Sequence, residues 1–224
     1  MIKNFIFDVD RTLIDSYNPE LETLKESLFI VTKKIYSDEI MSKLTVLTTD
    51  EFFKNLGIEK NSDTMNNINY YWGKLLKKKR LRFFDGVKQM LVALKEKGFF
   101  LGIATSRTEE ELNELDELLE NINLFDVIVT SDKVNNPKPN PESIDVIINK
   151  FNLKKEETIY IGDSESDALA AKNASVYFGF ASWENKNAIS KYDYLFQDPK
   201  DISKLANLDL ETFKIVSSIF EKSL

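Results

Sequence analysis

The sequence predicts an α/β fold: an open parallel sheet with helices on both faces, and an all-helical segment inserted after the first strand. Three observations predict it. Short apolar runs without helical spacing recur and end in polar residues, as at Phe5 to Phe7 before Asp8 and Phe99 to Ala104 before Thr105. Such runs read as strands buried on both faces, the usual state of a parallel sheet. Stretches with apolar residues at helical spacing lie between the runs, which is the βαβ alternation. From Ser16 to Phe84, by contrast, only helical spacing is found.

The first strand, Phe5 to Phe7, runs into Asp8 and Asp10. Side chains alternate along a strand, so the two carboxylates are expected to point the same way. Like charges that close resist ionising unless a cation lies between them. Hard oxygen ligands, with no His or Cys in the chain, point to a divalent metal, with Mg²⁺ the expected one. In the inserted segment Leu21, Leu24 and Leu28, then Phe52, Phe53 and Leu56, mark helical faces. Lys77 to Arg82, KKKRLR, reads as a solvated helix end whose cations meet the negative pole of the helix dipole.

Beyond the insertion, Asp85 is the expected N-cap of a helix carrying Val87, Met90, Leu91 and Leu94, and Gly98 its stop. Phe99 to Ala104 is the second strand. Thr108 and Glu111 form a capping box that opens one amphipathic helix from Glu109 to Asn121. Val127 to Val129 is the third strand. Asn136 to Pro141, NPKPNP, is a loop whose prolines stiffen the presentation of Lys138, and Pro141 suits the first position of the next helix. Thr158 to Ile161 is the fourth strand, Val176 to Phe178 before Gly179 the fifth, and Tyr192 to Phe196 a sixth at an edge. Asp201 to Leu224 is expected to close the fold with helix.

Composition bounds the chemistry. The 224 residues suffice for one sizeable core, or a core and a small second unit. There are no cysteines, so disulfides and thiolates are out, and no histidines, so no histidine base, phosphohistidine or histidine metal site exists. Acid–base work falls to carboxylates, Lys or Tyr. The net charge of −7 argues against a nucleic-acid binder. No apolar run reaches membrane-spanning length and no signal-peptide pattern is seen, so a cytoplasmic location without membrane association is the default expectation. Oligomeric state is not legible.

Asp8-Val9-Asp10-Arg11-Thr12-Leu13 resembles the first motif, D-x-D-x-T-L, of the haloacid dehalogenase-like hydrolases. The likeness continues in family order. Thr105 closes an apolar strand as in the second motif, Lys138-Pro139-Asn140-Pro141 is similar to the third, K-P-x-P, and Gly162-Asp163-Ser164-Glu165-Ser166-Asp167 to the fourth, G-D-x-x-x-D. Each signal is weak alone; four in order, each after a strand, are strong.

The resemblance, closest to the C1-capped, phosphoglycolate phosphatase-like members, implies a Rossmann-like core of residues 1–15 and 85–224 with a helical cap of residues 16–84. It implies Mg²⁺-dependent hydrolysis of a small phosphorylated metabolite through an aspartyl-phosphate. Asp8 would be the nucleophile, Asp10 the general acid and base, and Lys138 the charge stabiliser. The metal ligands would be the Asp8 and Asp163 carboxylates and the Asp10 backbone carbonyl, supported by Asp167 and Ser164. Thr105 and the N–H groups of Val9 and Ser106 would hold phosphoryl oxygens. The family usually has Gly where this chain has Arg11. Arg11 would bind a substrate anion or pair with Asp15 four residues on. Other expectations are a phosphosugar mutase of the same family, a non-turnover phospho-acceptor switch, and a metal-free dehalogenase, which the second motif-I aspartate speaks against.

Overall fold

The computed structural model describes residues 1–42, 49–184, 189 and 191–205. A six-stranded sheet is built from β1 (Asn4–Phe7), β4 (Phe100–Ala104), β5 (Val127–Val129), β6 (Thr158–Gly162), β7 (Tyr177–Ala181) and β8 (Tyr194–Phe196). Its order is β5-β4-β1-β6-β7-β8, and every pairing is parallel. β1 therefore lies in the middle, with Phe7 opposite Ile103 on one side and Ile161 on the other. The strands that end in the first, second and fourth motifs are thus neighbours.

Alternation along the strands feeds two cores. Phe5, Phe7, Leu101, Ile103, Ile159 and Ile161 face one side and pack with Val87, Met90, Leu91 and Leu94 of α5 (Val87–Glu96). Ile6, Ala104 and Tyr160 face the other and pack with Ile144, Ile147 and Ile148 of α8 (Glu142–Phe151) and Ala168, Ala170 and Ala171 of α9 (Glu165–Ala174). Phe5, Ile6 and Phe7 are fully buried, and each contributes about 1.5–3 kcal/mol relative to an exposed side chain.

The chain parts into two compact units, residues 1–15 with 81–224, and residues 16–80. The second unit is helical: α1 (Tyr17–Thr32), α2 (Asp38–Ser42), α3 (Thr49–Asn55) and α4 (Asp63–Leu76). Its own core gathers Leu24 and Leu28 with Met41, Phe52, Phe53, Ile58, Met65 and Ile68. At its boundary a small antiparallel pair, β2 (Ile14–Asp15) with β3 (Arg82–Phe83), belongs to the first unit, which draws residues 81–84 into that unit.

Several local expectations are revised. The helix expected over Glu109 to Asn121 is two, α6 (Glu109–Leu112) and α7 (Asp116–Glu120), because Leu115 leaves helical geometry at φ −95°, ψ 83°. No glycine or proline causes the break. It turns Glu117 so that its carboxylate accepts the Phe83 N–H at 2.9 Å. The N-cap of α5 is Gly86, at φ +86°, and not Asp85. Pro141 caps α8 from one position before its first turn. β7 runs on through Gly179, since a β-carbon there would meet the Phe196 ring at 2.6 Å: the glycine makes room for a neighbouring strand's side chain. The closing helix is present as α10 (Lys200–Leu205); residues 206–224 lie outside the described residues. Among the described residues no helix is long and apolar enough to cross a membrane.

Candidate active site

The carboxyl ends of β1, β4 and β6 meet at one edge of the sheet, where an open parallel sheet binds ligands. Asp8 is the first residue past β1. Its N–H still donates to the Ile161 carbonyl at 2.8 Å, so the backbone is held in line with β6. Its carboxylate is buried and accepts from Lys138 Nζ at 2.6 Å. The same ammonium donates to Asp167 Oδ1 at 2.7 Å and to the Tyr160 hydroxyl at 2.9 Å. All three donor positions of the lysine are therefore used. The Tyr160 hydroxyl oxygen lies 2.8 Å from the Ala104 carbonyl and 3.1 Å from Asp167 Oδ1; it has one proton to donate, and the shorter contact favours the carbonyl.

The loop that delivers Lys138 is fastened by more than prolines. Glu142, at the start of α8, accepts the backbone N–H groups of Asn135 and Asn136, each at 2.9 Å. A turn closes from the Asn140 N–H to the Pro137 carbonyl at 3.0 Å. A long flexible side chain thereby starts from a fixed base, and its remaining entropy is given up to three buried partners.

β6 ends at Gly162, followed by the buried Asp163. A β-carbon on residue 162 would lie 2.6 Å from Cβ and Cγ of Asp167. Only glycine lets the Asp167 side chain fold back under the strand end. Asp167 is the third residue of α9 and completes a capping box with Ser164, whose hydroxyl and N–H both reach Asp167 Oδ2. One oxygen of Asp167 thus serves the helix start and the other serves Lys138. Carboxylate oxygens of Asp8, Asp163 and Asp167 lie within 4.8 Å of one another.

Three buried carboxylates gather around one buried ammonium, and the Arg11 guanidinium also acts on Asp163. Burial pushes the Asp8 carboxyl up to about 7, with Asp167 and Asp10 adding to the rise and Lys138 opposing it. Burial likewise holds Asp163 well above the ordinary carboxylate range, with Arg11 and Lys138 offsetting only part. Burial alone would lower Lys138, yet the carboxylates of Asp167 and Asp8 hold it well above the usual lysine range. Burial, reinforced by the Asp167 charge, holds the Tyr160 hydroxyl well above its ordinary value. An all-oxygen cluster of carboxylates fits a hard divalent cation. Asp8 and Asp163 are the natural holders, because Asp167 is committed to Lys138, Tyr160 and Ser164.

Asp10 is placed differently. Its carboxylate faces the guanidinium of Arg107, while the acidic cluster groups Asp8 with Asp163 and Asp167. Arg107 donates from Nε to Asp10 Oδ2 at 2.8 Å and from Nη2 to Oδ1 at 2.5 Å. The strand has ended by then, so alternation no longer governs where residue 10 points. The turn closes with N–H groups of Leu13 and Ile14 donating to the Val9 carbonyl, both at 2.9 Å. Arg11 takes φ +58° within it. This gives a physical reason for the family's Gly at the position: the turn needs a left-handed residue, and glycine adopts it without strain.

Thr105 is buried past the end of β4, its hydroxyl accepting the Arg107 N–H at 3.1 Å, and Ser106 is exposed. Arg107, Tyr160 and Glu142 were not anticipated from the sequence. Tyr160 had a signal, as the one residue with a polar tip inside the apolar run Ile159 to Ile161. Arg107 follows Thr105 by two, but nothing in the sequence pairs it with a residue 97 positions away.

Residues 5–181 match the family profile described as haloacid dehalogenase-like hydrolase. A protein of Bacillus velezensis called pyrophosphatase PpaX is 27% identical over 201 residues, covering 88% of this chain and 93% of that one. Its namesake from Halalkalibacterium halodurans is 39% identical over 117 residues, which span 52% of this chain and 53% of the relative. Among solved structures, a predicted phosphoglycolate phosphatase from Haemophilus somnus superposes with a TM-score of 0.76 at 24% identity, covering 92% of this chain and 98% of that one. The last likeness is one of fold.

Proposed function

Because this chain belongs to the haloacid dehalogenase-like hydrolases, we propose that it is a Mg²⁺-dependent phosphatase of a small phosphorylated metabolite, acting through an aspartyl-phosphate on Asp8. The observation that carries the reading is the buried Asp8, held 2.6 Å from Lys138 within a three-carboxylate cluster at the sheet's carboxyl edge. A buried carboxylate with a fixed ammonium beside it suits a nucleophile that attacks a dianionic phosphoryl group.

In this reading Asp8 forms a bond to phosphorus as the bond to the leaving oxygen breaks. Lys138, fixed by Asp167 and Tyr160, offsets the gathered charge. The Thr105 hydroxyl and the N–H groups of Val9 and Ser106 hold phosphoryl oxygens. Asp10 gives its proton to the leaving oxygen, then takes one from the water that displaces phosphate from Asp8. The Asp8 and Asp163 carboxylates and the Asp10 backbone carbonyl would hold Mg²⁺, with Asp167 and Ser164 keeping the strand end in place. The ion, when bound, neutralises phosphoryl charge and keeps Asp8 ionised. Arg11 is assigned to the substrate side of the turn, and residues 16–80 to the selection of substrates.

The test is a screen of phosphorylated metabolites with Mg²⁺ and with chelator. Pyrophosphate and phosphoglycolate belong in it, given what the relatives are called. Wild type is expected to release phosphate from at least one compound only when Mg²⁺ is present, and Asp8→Asn to release none above background. Equal release by Asp8→Asn would end the reading.

A further inference from the structure

The geometry points to Arg107 as the residue that selects substrates carrying a second oxyanion, a carboxylate or phosphate beyond the phosphoryl group that is transferred. The inference rests on the phosphatase reading of this site and adds the substrate class to it.

Both oxygens of Asp10 are engaged by one guanidinium in a fork. A carboxylate so engaged cannot at the same time approach a leaving oxygen, so the proton-transfer role of Asp10 requires Arg107 to let go. The fork fits any planar or tetrahedral oxyanion equally well. A second oxyanion on the substrate is therefore the chemical group able to exchange with Asp10 for it.

Burial permits the exchange. The side chains of Asp10 and Arg107 are 30% and 12% exposed, against 8% and 5% for Asp8 and Lys138. The pair is only partly buried, so an anion arriving from solvent can reach it, and opening it strands less charge than opening the wholly buried Asp8–Lys138 pair.

Only the side chain needs to move. The Arg107 N–H is tied to the Thr105 hydroxyl at 3.1 Å, and its carbonyl accepts the Ser131 N–H at 2.9 Å. The pivot is thus fixed two residues from the proposed phosphoryl-holding Thr105, which sets the reach between the two anionic groups of the substrate. In the resting arrangement Asp10 occupies the second-oxyanion position itself. A substrate with that group claims Arg107 and frees Asp10 in one move; a phosphoester without it must break the pair with nothing to replace it.

The test uses phosphonates, which cannot be hydrolysed, so it is independent of turnover. Calorimetric binding of phosphonoacetate and methylphosphonate is compared at equal free Mg²⁺. Wild type is expected to prefer phosphonoacetate by about 10- to 100-fold, the range of a charge-assisted fork. Arg107→Gln should bring the two ligands within about threefold, chiefly by weakening phosphonoacetate, while Arg107→Lys, a point charge without the fork, retains part of the preference. Lys133→Gln removes the same charge from an exposed pair with Glu109 and should leave the preference intact.

No preference in wild type overturns the inference. So does a preference that survives Arg107→Gln, or one that disappears with Lys133→Gln as well. Should the preference behave as expected while no phosphoester is turned over, the phosphatase reading fails and the binding assignment stands.

Discussion

Two ion pairs stand two residues apart at the end of the same strand, and they are built oppositely. Asp8–Lys138 is almost wholly buried, and its lysine is shared with Asp167 and Tyr160. Asp10–Arg107 is a fork whose carboxylate end is about a third exposed. Both are carboxylates on cations at short range. Buried and multiply bonded, a pair cannot lose one member without stranding the other; near water, it can exchange partners cheaply. The first fixes geometry and the second is suited to change during a catalytic cycle. Position relative to solvent, and not residue type, separates the two pairs.

The largest effect expected from this contrast is on stability. Lys138→Met leaves the buried Asp8 and Asp167 carboxylates without their counter-ion, at a cost of about 3–5 kcal/mol. In a chelator-treated sample at pH 8, Tm should fall by roughly 10 °C. Arg107→Gln releases a carboxylate that water can reach, and should shift Tm by no more than about 1 kcal/mol's worth. Thermal unfolding of both variants side by side decides it. Equal losses would erase the distinction between the pairs.

A second expectation sharpens the contrast through pH. The Asp8 carboxyl is held near 7 in the folded protein against an ordinary 3.8, and Asp163 is raised in the same direction. Between about pH 4 and pH 7 the folded state therefore binds more protons than the unfolded one, so these groups favour folding at low pH and cease to do so as pH rises through 7. On the proposed reading, a divalent cation would take the place of the lost protons. Chelator-treated protein should lose Tm between pH 5.5 and pH 8, and Mg²⁺ should restore more at pH 8 than at pH 5.5. At about a hundredfold excess over its Kd the ion stabilises by about 2.7 kcal/mol, an easily read shift. A Mg²⁺ effect independent of pH would mean that the ion binds away from Asp8 and Asp163.

How much of this was legible before folding follows the same division. The sheet was, because Phe5 to Phe7, Phe99 to Ala104 and Thr158 to Ile161 are apolar runs that only a doubly covered sheet accommodates. The acidic and lysine members of the buried cluster were legible through the likeness to four family motifs in order, each of them weak alone. The supporting contacts were not. Glu117 reaching Phe83, Glu142 fastening the Lys138 loop and Arg107 reaching Asp10 depend on where chain segments cross, which no local spacing encodes. Asp10 shows the limit most clearly: alternation along a strand predicts its direction only while the strand lasts, and β1 ends at Phe7.

The smallest expected effect concerns Arg11, which lies between the two pairs in consequence if not in contact. Its φ of +58° costs about 1–2 kcal/mol relative to ordinary backbone, and glycine would relieve that while adding about 0.5–1 kcal/mol of unfolded-state freedom. Were strain the whole story, Arg11→Gly would raise Tm by up to about 3 °C. Its guanidinium also acts on the buried Asp163 and on Glu184, a half-buried carboxyl pushed up to about 7 by its burial and by Asp15. A Tm that falls on Arg11→Gly, with the fall larger at pH 8 than at pH 5.5, would show that this charge is retained for the acidic cluster despite its backbone cost. Arg11 would then belong with Lys138 as a fixed counter-ion, and the exchangeable part of the site would narrow to Asp10 and Arg107 alone.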